Sequence, residues 1–175
     1  KKQAYINEQR KGLRTWIEID SAALKKNFET FRKIKGKKRR FMAVVKSNAY
    51  GHGLTDIATL ASHAGADWIG VDSITEAVAL REHGVRKPIL VLGYTLPERL
   101  ADALHNNISL TISSLQGIQS LKIIGPAYAK LRIHLKIDTG MHRQGFLPDE
   151  LTAVLALISS MPHIAIEGVY THFAA

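Results

Sequence analysis

From residue 41 onward, short apolar runs alternate with amphipathic stretches. The runs are Phe41–Lys46, Trp68–Asp72, Pro88–Gly93, Ile108–Ser113, Leu131–Asp138 and Ile164–His172. Helical periodicity lies between them, near residues 54–64, 74–83, 97–106, 114–123 and 149–160. Runs apolar on both faces, each separated from the next by a helix, predict parallel strands covered by helices and joined by right-handed crossovers. Upstream, Thr15–Asp20 alternates apolar and polar residues, which predicts one N-terminal strand with a wet face. Asp20 or Ser21 can cap the helix that follows, with Leu24, Phe28, Phe31 and Ile34 on its apolar face. Residues 1–13 show no apolar period and read as a tail or linker, leaving 14–175 as the folded domain.

Two α/β architectures fit this rhythm: an open doubly wound sheet, or a (β/α)8 barrel of the TIM type. A dinucleotide-binding sheet carries G-x-G-x-x-G after its first strand. Here the first run ends instead in Lys46-Ser47-Asn48-Ala49-Tyr50-Gly51-His52-Gly53. Six strand–helix units fit between Phe41 and the end, whereas a full barrel takes about 250 residues. The expected fold is therefore a TIM-type barrel truncated to about six strands, preceded by one N-terminal strand. A first residue that is Lys rather than Met suits a piece of a longer chain.

Composition narrows the functional classes. A chain of 175 residues, 46% of them apolar, supports one core. The absence of cysteine removes disulfides, thiolate metal sites and cysteine nucleophiles, and fits a reducing cytoplasm. No secretory signal pattern and no long charge-free apolar run is present, so a cytoplasmic location is expected. The net charge of +9 gathers in the N-terminal tail and in Lys35-Gly36-Lys37-Lys38-Arg39-Arg40. No aromatic residues interleave with those charges as stacking platforms, which argues against nucleic acid and leaves a preference for anionic ligands. The eight histidines include no H-E-x-x-H spacing, so no metal is expected. His63, His83, His105 and His163 read as helix-end or loop residues, and His134 as a strand packing position. Asp138-Thr139-Gly140 occurs once and ends a parallel strand, unlike the paired triplets of an aspartic protease.

Lys46 closes the first barrel strand, at the end where barrel enzymes place their catalytic groups. Apolar neighbours disfavour its ammonium form, and a neutral amine can condense with an aldehyde cofactor. A lysine that merely ends a strand and reaches solvent fits the same position. Tyr50, four residues on and followed by glycines at a helix start, is placed to donate to a phosphate. Tyr94 and Thr95 follow Gly93 at another strand end and read as loop residues.

The segment Ala43-Val44-Val45-Lys46-Ser47-Asn48-Ala49-Tyr50-Gly51-His52-Gly53 resembles the attachment motif for pyridoxal 5′-phosphate (PLP) in alanine racemases. The likeness continues in Trp16–Asp20, in Lys136-Ile137-Asp138-Thr139-Gly140-Met141-His142-Arg143-Gln144-Gly145 and in Gly168–Phe173, in the family's order. It implies that Lys46 holds PLP through its amine and exchanges a proton with one face of the substrate Cα. It implies that Tyr50 binds the cofactor phosphate and that Val44 and Leu92 pack beside the cofactor. Arg143 would sit near the cofactor phenolic oxygen and the substrate carboxylate, and His172 in a network beneath the pyridine ring. Lys136 matches a lysine carbamylated in several family members, where it positions that arginine. His142 and Gln144 depart from the pattern, which commonly has glycine and an aliphatic residue there.

The function so implied is a PLP-dependent isomerase interconverting L- and D-alanine, which serves peptidoglycan synthesis in bacteria. The second base would be a tyrosine from the partner subunit's C-terminal domain in a full-length homodimer, so this chain alone is expected to be inactive. Alternatives of the same fold are a serine or broad-specificity amino-acid racemase, some of which follow a membrane domain, and a non-enzymatic PLP homeostasis protein. The Tyr-Gly-His-Gly continuation disfavours the last of these.

Overall fold

A computed structural model describes residues 8, 10–125 and 129–174. The expected tail therefore lies largely outside the described residues. Six strands form one sheet in strictly sequential order, all parallel: β1 (Met42–Val44), β2 (Trp68–Val71), β3 (Ile89–Val91), β4 (Ser109–Ile112), β5 (Leu131–Lys136) and β6 (Ile164–Tyr170). The crossovers carry α2 (Leu54–His63), α3 (Ile74–Glu82), α4 (Leu100–His105), α5 (Leu115–Ser120) and α6 (Leu151–Ser159). Each of the six expected runs forms a strand, shortened by one to three residues at its ends. No described helix is long and apolar enough to cross a membrane.

The two faces of the sheet differ. Ala43, Val45, Ile69, Val71, Ile89, Val91, Leu110, Ile112, Ile133 and Leu135 point under the helices and form the core with residues such as Ala58, Ala77, Leu80, Ala103, Ile118 and Val154. The alternate residues line the other face, which is curled. Trp68 of β2 and His134 of β5 meet edge to face with ring centroids 5.4 Å apart. In a flat sheet those strands would stand about 14 Å apart, three inter-strand steps. Ser109 of β4 likewise reaches across β5 to Glu167 of β6 at 2.5 Å. The sheet is thus a section of a barrel with an inner lumen.

The lumen is apolar beside β1–β3 and polar beside β4–β6. A register shift between Ile133 and His134 makes Glu167 the extra residue of a β-bulge on β6. The bulged Glu167 meets Ser109, Arg132 at 3.4 Å and His134 at 3.4 Å. Burial lowers the His134 pKa, opposed by Glu167, so the imidazole is held toward its neutral form. Gly168 is required beside it, since a Cβ there would lie 2.6 Å from His134 Nδ1.

Two N-terminal expectations need correction. Thr15–Asp20 forms no strand, and Trp16 and Ile17 are exposed. Extended backbone becomes a strand only by sharing a ladder, and this segment has no ladder partner among the described residues. Asp20 does cap α1 (Ser21–Lys35), accepting from the amides of Ala22 and Ala23. Of the predicted apolar face, however, only Phe28 is buried and Leu24 partly so; Phe31 and Ile34 are exposed. Phe31 stacks on Phe41 instead of entering the core.

Candidate active site at the strand ends

The chain after β1 does something the sequence pattern does not announce. Ser47, Asn48, Ala49 and Tyr50 all have φ between 53° and 55°, so Lys46–Tyr50 winds as a left-handed turn. For residues with a Cβ this conformation costs about 1–2 kcal/mol each. The turn persists because it is anchored on every side. The amide of Val45 donates to Gly70 O at 2.8 Å, and that of Ala49 to Val45 O at 2.8 Å. The side chain of Asn48 accepts from the amide of Leu54 at 2.8 Å, joining the turn to the start of α2. The amide of Asn48 donates to Glu76 Oε1 at 3.1 Å, and Ala49 is buried. The outcome is a half-buried Lys46 at the C-terminal end of β1 and an exposed Tyr50 at the end of the turn.

Next to the strand end that carries Lys46, apolar side chains pack closely over Gly70 in the lumen wall. A Cβ there would meet Met42 Sδ at 3.0 Å, Leu92 at 3.3 Å and Val44 at 3.4 Å, so the two predicted cofactor neighbours come together with Met42 over this glycine. Across the lumen, Lys136 ends β5 and is 5% exposed. Its amine donates to Gln144 Oε1 at 3.3 Å and lies 5.9 Å from the centre of the Tyr170 ring. Desolvation lowers the Lys136 pKa, and the charges of Arg143 and Lys46 lower it further while Asp138 raises it. Lys46, Lys136 and Arg143 therefore share one electropositive region at the strand ends. The Tyr170 hydroxyl bonds to Thr111 at 3.0 Å, and burial raises its pKa, keeping it a neutral phenol.

Arg143 is exposed on the loop 138–145, which is closed at its base by bonds from the Asp138 amide to Phe146 O and from the Phe146 amide to Lys136 O, each 2.9 Å. Inside the loop, Asp138 Oδ1 accepts from the amides of Gly140 and His142, both at 3.0 Å. Those two bonds lower the Asp138 pKa. The two departures from the family pattern acquire meanings here. His142 occupies the left-handed region at φ 52°, where glycine is at no disadvantage. Gln144 is the hydrogen-bond partner of Lys136, a role no aliphatic residue can fill. His172 is exposed, two residues beyond β6.

Sequence reasoning missed Thr111, Tyr170, Glu76 and the left-handed turn itself. Ser73-x-x-Glu76 carried a usable signal, the spacing of a capping box. Tyr170 and Thr111 alternate correctly for the lumen, but nothing in their spacing marks them.

Six parallel strands backed by helices define a (β/α)-barrel domain, and cationic side chains gather at the C-terminal ends of its first and fifth strands. The chain belongs to the family described as alanine racemase, N-terminal domain, which it matches over residues 19–175. It is 42% identical over 161 residues to the alanine racemase of Methanococcus maripaludis, covering 91% of this chain and 43% of that protein. Identity to the alanine racemase of Geobacillus stearothermophilus is also 42% over 161 residues, covering 91% and 42%. Among solved structures, alanine racemase from Bacillus anthracis with bound L-Ala-P aligns with TM-score 0.86 at 34% identity, covering 91% of this chain and 42% of that one. The histidine racemase of Leuconostoc mesenteroides aligns with TM-score 0.82 at 31% identity, covering 89% and 42%. The chain thus spans less than half the length of these relatives.

Proposed function

We propose that this chain is the cofactor-holding part of a PLP-dependent alanine racemase. The observation that carries the reading is the joint placement of Lys46 at the end of β1, beside the apolar side chains of Val44 and Leu92, and of Arg143 and Lys136 at the end of β5. Val44 and Leu92 offer apolar surface to a planar ring, and the cationic region suits an anionic cofactor and a substrate carboxylate. Bound PLP supplies an electron sink that acidifies the Cα proton of an attached amino acid. Lys46 would hold the cofactor by its amine and take or return the proton on one face of Cα. Tyr50, exposed and steered by the left-handed turn, would donate to the phosphate. Arg143 would pair with the substrate carboxylate, and His172 would join the groups beneath the ring. Lys136, its amine pushed toward the neutral form that reacts with CO2, is the candidate for carbamylation and would hold Arg143. Proton exchange on the opposite face needs a second base, which we assign to the partner subunit of a homodimer. We place the whole enzyme in the cytoplasm, acting on alanine for peptidoglycan synthesis.

A broader amino-acid racemase is a second reading, favoured by the likeness to the Leuconostoc histidine racemase. Substrate side chains would then be selected by residues outside the shared domain.

The test is borohydride reduction of the chain with PLP, followed by peptide mass analysis, with Lys46→Ala alongside. A reduced pyridoxyl group on Lys46, absent from the variant, is the expected result. A folded chain that takes up PLP equally in the Lys46→Ala variant would refute the assignment.

A further inference from the structure

We propose that Glu76 is a positioning residue for the cofactor end of the site: its carboxylate ties the left-handed turn to the end of β2 and so fixes Lys46 relative to Tyr50. The inference rests on the PLP reading of Lys46 and Tyr50. Both oxygens of Glu76 are engaged, and in different elements. Oε1 accepts from the amide of Asn48 at 3.1 Å, and Oε2 accepts from the amide of Asp72 at 2.9 Å. Asn48 is the middle of the turn, at φ 55° and ψ 41°, and its amide finds in Glu76 an acceptor from 28 residues away.

Helix capping alone does not explain this arrangement. In a capping box, the third helical residue reaches back to the amide of the N-cap. Ser73 is that N-cap, and its Oγ accepts from the amide of Glu76 at 3.2 Å, so half of the box is formed. The carboxylate passes over the Ser73 amide to Asp72, and its other oxygen leaves the helix altogether for Asn48. It is presented from a rigid base, since α3 buries Ile74, Ala77 and Leu80. The strand end that positions one side of the lumen and the turn that carries the reactive amine are therefore bridged by one side chain. Without it, the turn keeps the bond of the Val45 amide to Gly70 O and that of the Asn48 side chain to Leu54, but its middle loses the link to the end of β2.

The experiment compares the wild-type chain with Glu76→Ala, Glu76→Gln and Ser73→Ala. Two quantities are read: amide hydrogen exchange at Asn48, and the dissociation constant for PLP from an absorbance titration. Removing the acceptor in Glu76→Ala is expected to speed Asn48 exchange by about tenfold or more and to weaken PLP binding by about tenfold, the scale of one lost charge-assisted hydrogen bond. Glu76→Gln keeps one acceptor oxygen and falls between, and it decides the matter if the alanine variant does not fold. Ser73→Ala frays only the helix start and leaves both quantities within about twofold. Unchanged Asn48 exchange in both Glu76 variants, or an equal effect from Ser73→Ala, would overturn the role given to Glu76. So would PLP binding that Glu76→Ala leaves untouched. A wild-type chain that binds no PLP would overturn the cofactor reading itself, whatever the exchange data show.

Discussion

Lys136→Met should make the chain more stable while removing a group the proposed site needs. The lysine is 5% exposed, and among the described residues its amine has a single hydrogen-bond partner, the Gln144 amide oxygen at 3.3 Å. Desolvation is the largest influence on it, and Arg143 and Lys46 add repulsion that Asp138 only partly offsets. The folded pKa is thus lowered below the ordinary 10.5 of the unfolded chain. Between the lowered value and 10.5, the unfolded chain binds the proton and the native chain does not, so stability rises with pH across that window. At a pH below both values, each state carries the proton and the full burial penalty is present. An ammonium with one neutral acceptor costs on the order of 1–3 kcal/mol. The contact with the Tyr170 ring returns about 0.5–1 kcal/mol of that. Methionine fills a similar volume, so the expected gain is about 1–2 kcal/mol. For a chain of this size each kcal/mol is about 2–4 °C in Tm. Urea and thermal unfolding at pH 7 and pH 10 measure it, and the advantage of the variant should shrink at pH 10. A variant less stable than wild type by 1 kcal/mol or more would refute the reasoning and indicate that Lys136 is carried as an anionic carbamate paired with Arg143.

Two further substitutions probe the frame around it. Gly145→Ala would set a Cβ 2.5 Å from the Asp138 amide nitrogen and 2.8 Å from the carbonyl carbon of Ile137, at φ 139°. These are backbone atoms that cannot step aside, so the loop bearing Arg143 should open at a cost of about 2–3 kcal/mol in urea unfolding. Wild-type stability would contradict the packing described. Tyr170→Phe removes the bond to Thr111 but keeps the ring beneath Lys136, and should cost about 1 kcal/mol in the same assay. A loss several times larger would mean that the hydroxyl anchors more of the lumen than Thr111.

The barrel was legible because its core face is regular: residues such as Ile69, Val71, Ile89 and Val91 keep both the period of a strand and the apolarity of a covered sheet. Lys46, Val44, Leu92 and Arg143 could be placed from the strand ends and the family resemblance. The turn after Lys46 could not, because Ser47, Ala49 and Tyr50 carry no local preference for positive φ, and tertiary bonds impose it. The N-terminal segment misled for the opposite reason. Trp16–Asp20 has the local pattern of a strand, but pairing is a property of the neighbour as well as of the segment. Phe31 and Ile34 show the same limit, since a helical period marks a face without saying what covers it.

The strictly sequential order of the sheet has a consequence for how the molecule is made. Every strand is zipped to the one synthesised just before it, as Gly70 to Leu90 and Leu110 to Ile133. No contact in the ladder waits for a distant part of the chain, so the loop entropy overcome at each step is small and local. A nascent chain can therefore wind this wall unit by unit as it leaves the ribosome, always with a single growing rim. The Lys46 turn has all its anchors between Val45 and Glu76, so it can be finished while the loop that carries Arg143 is still untranslated.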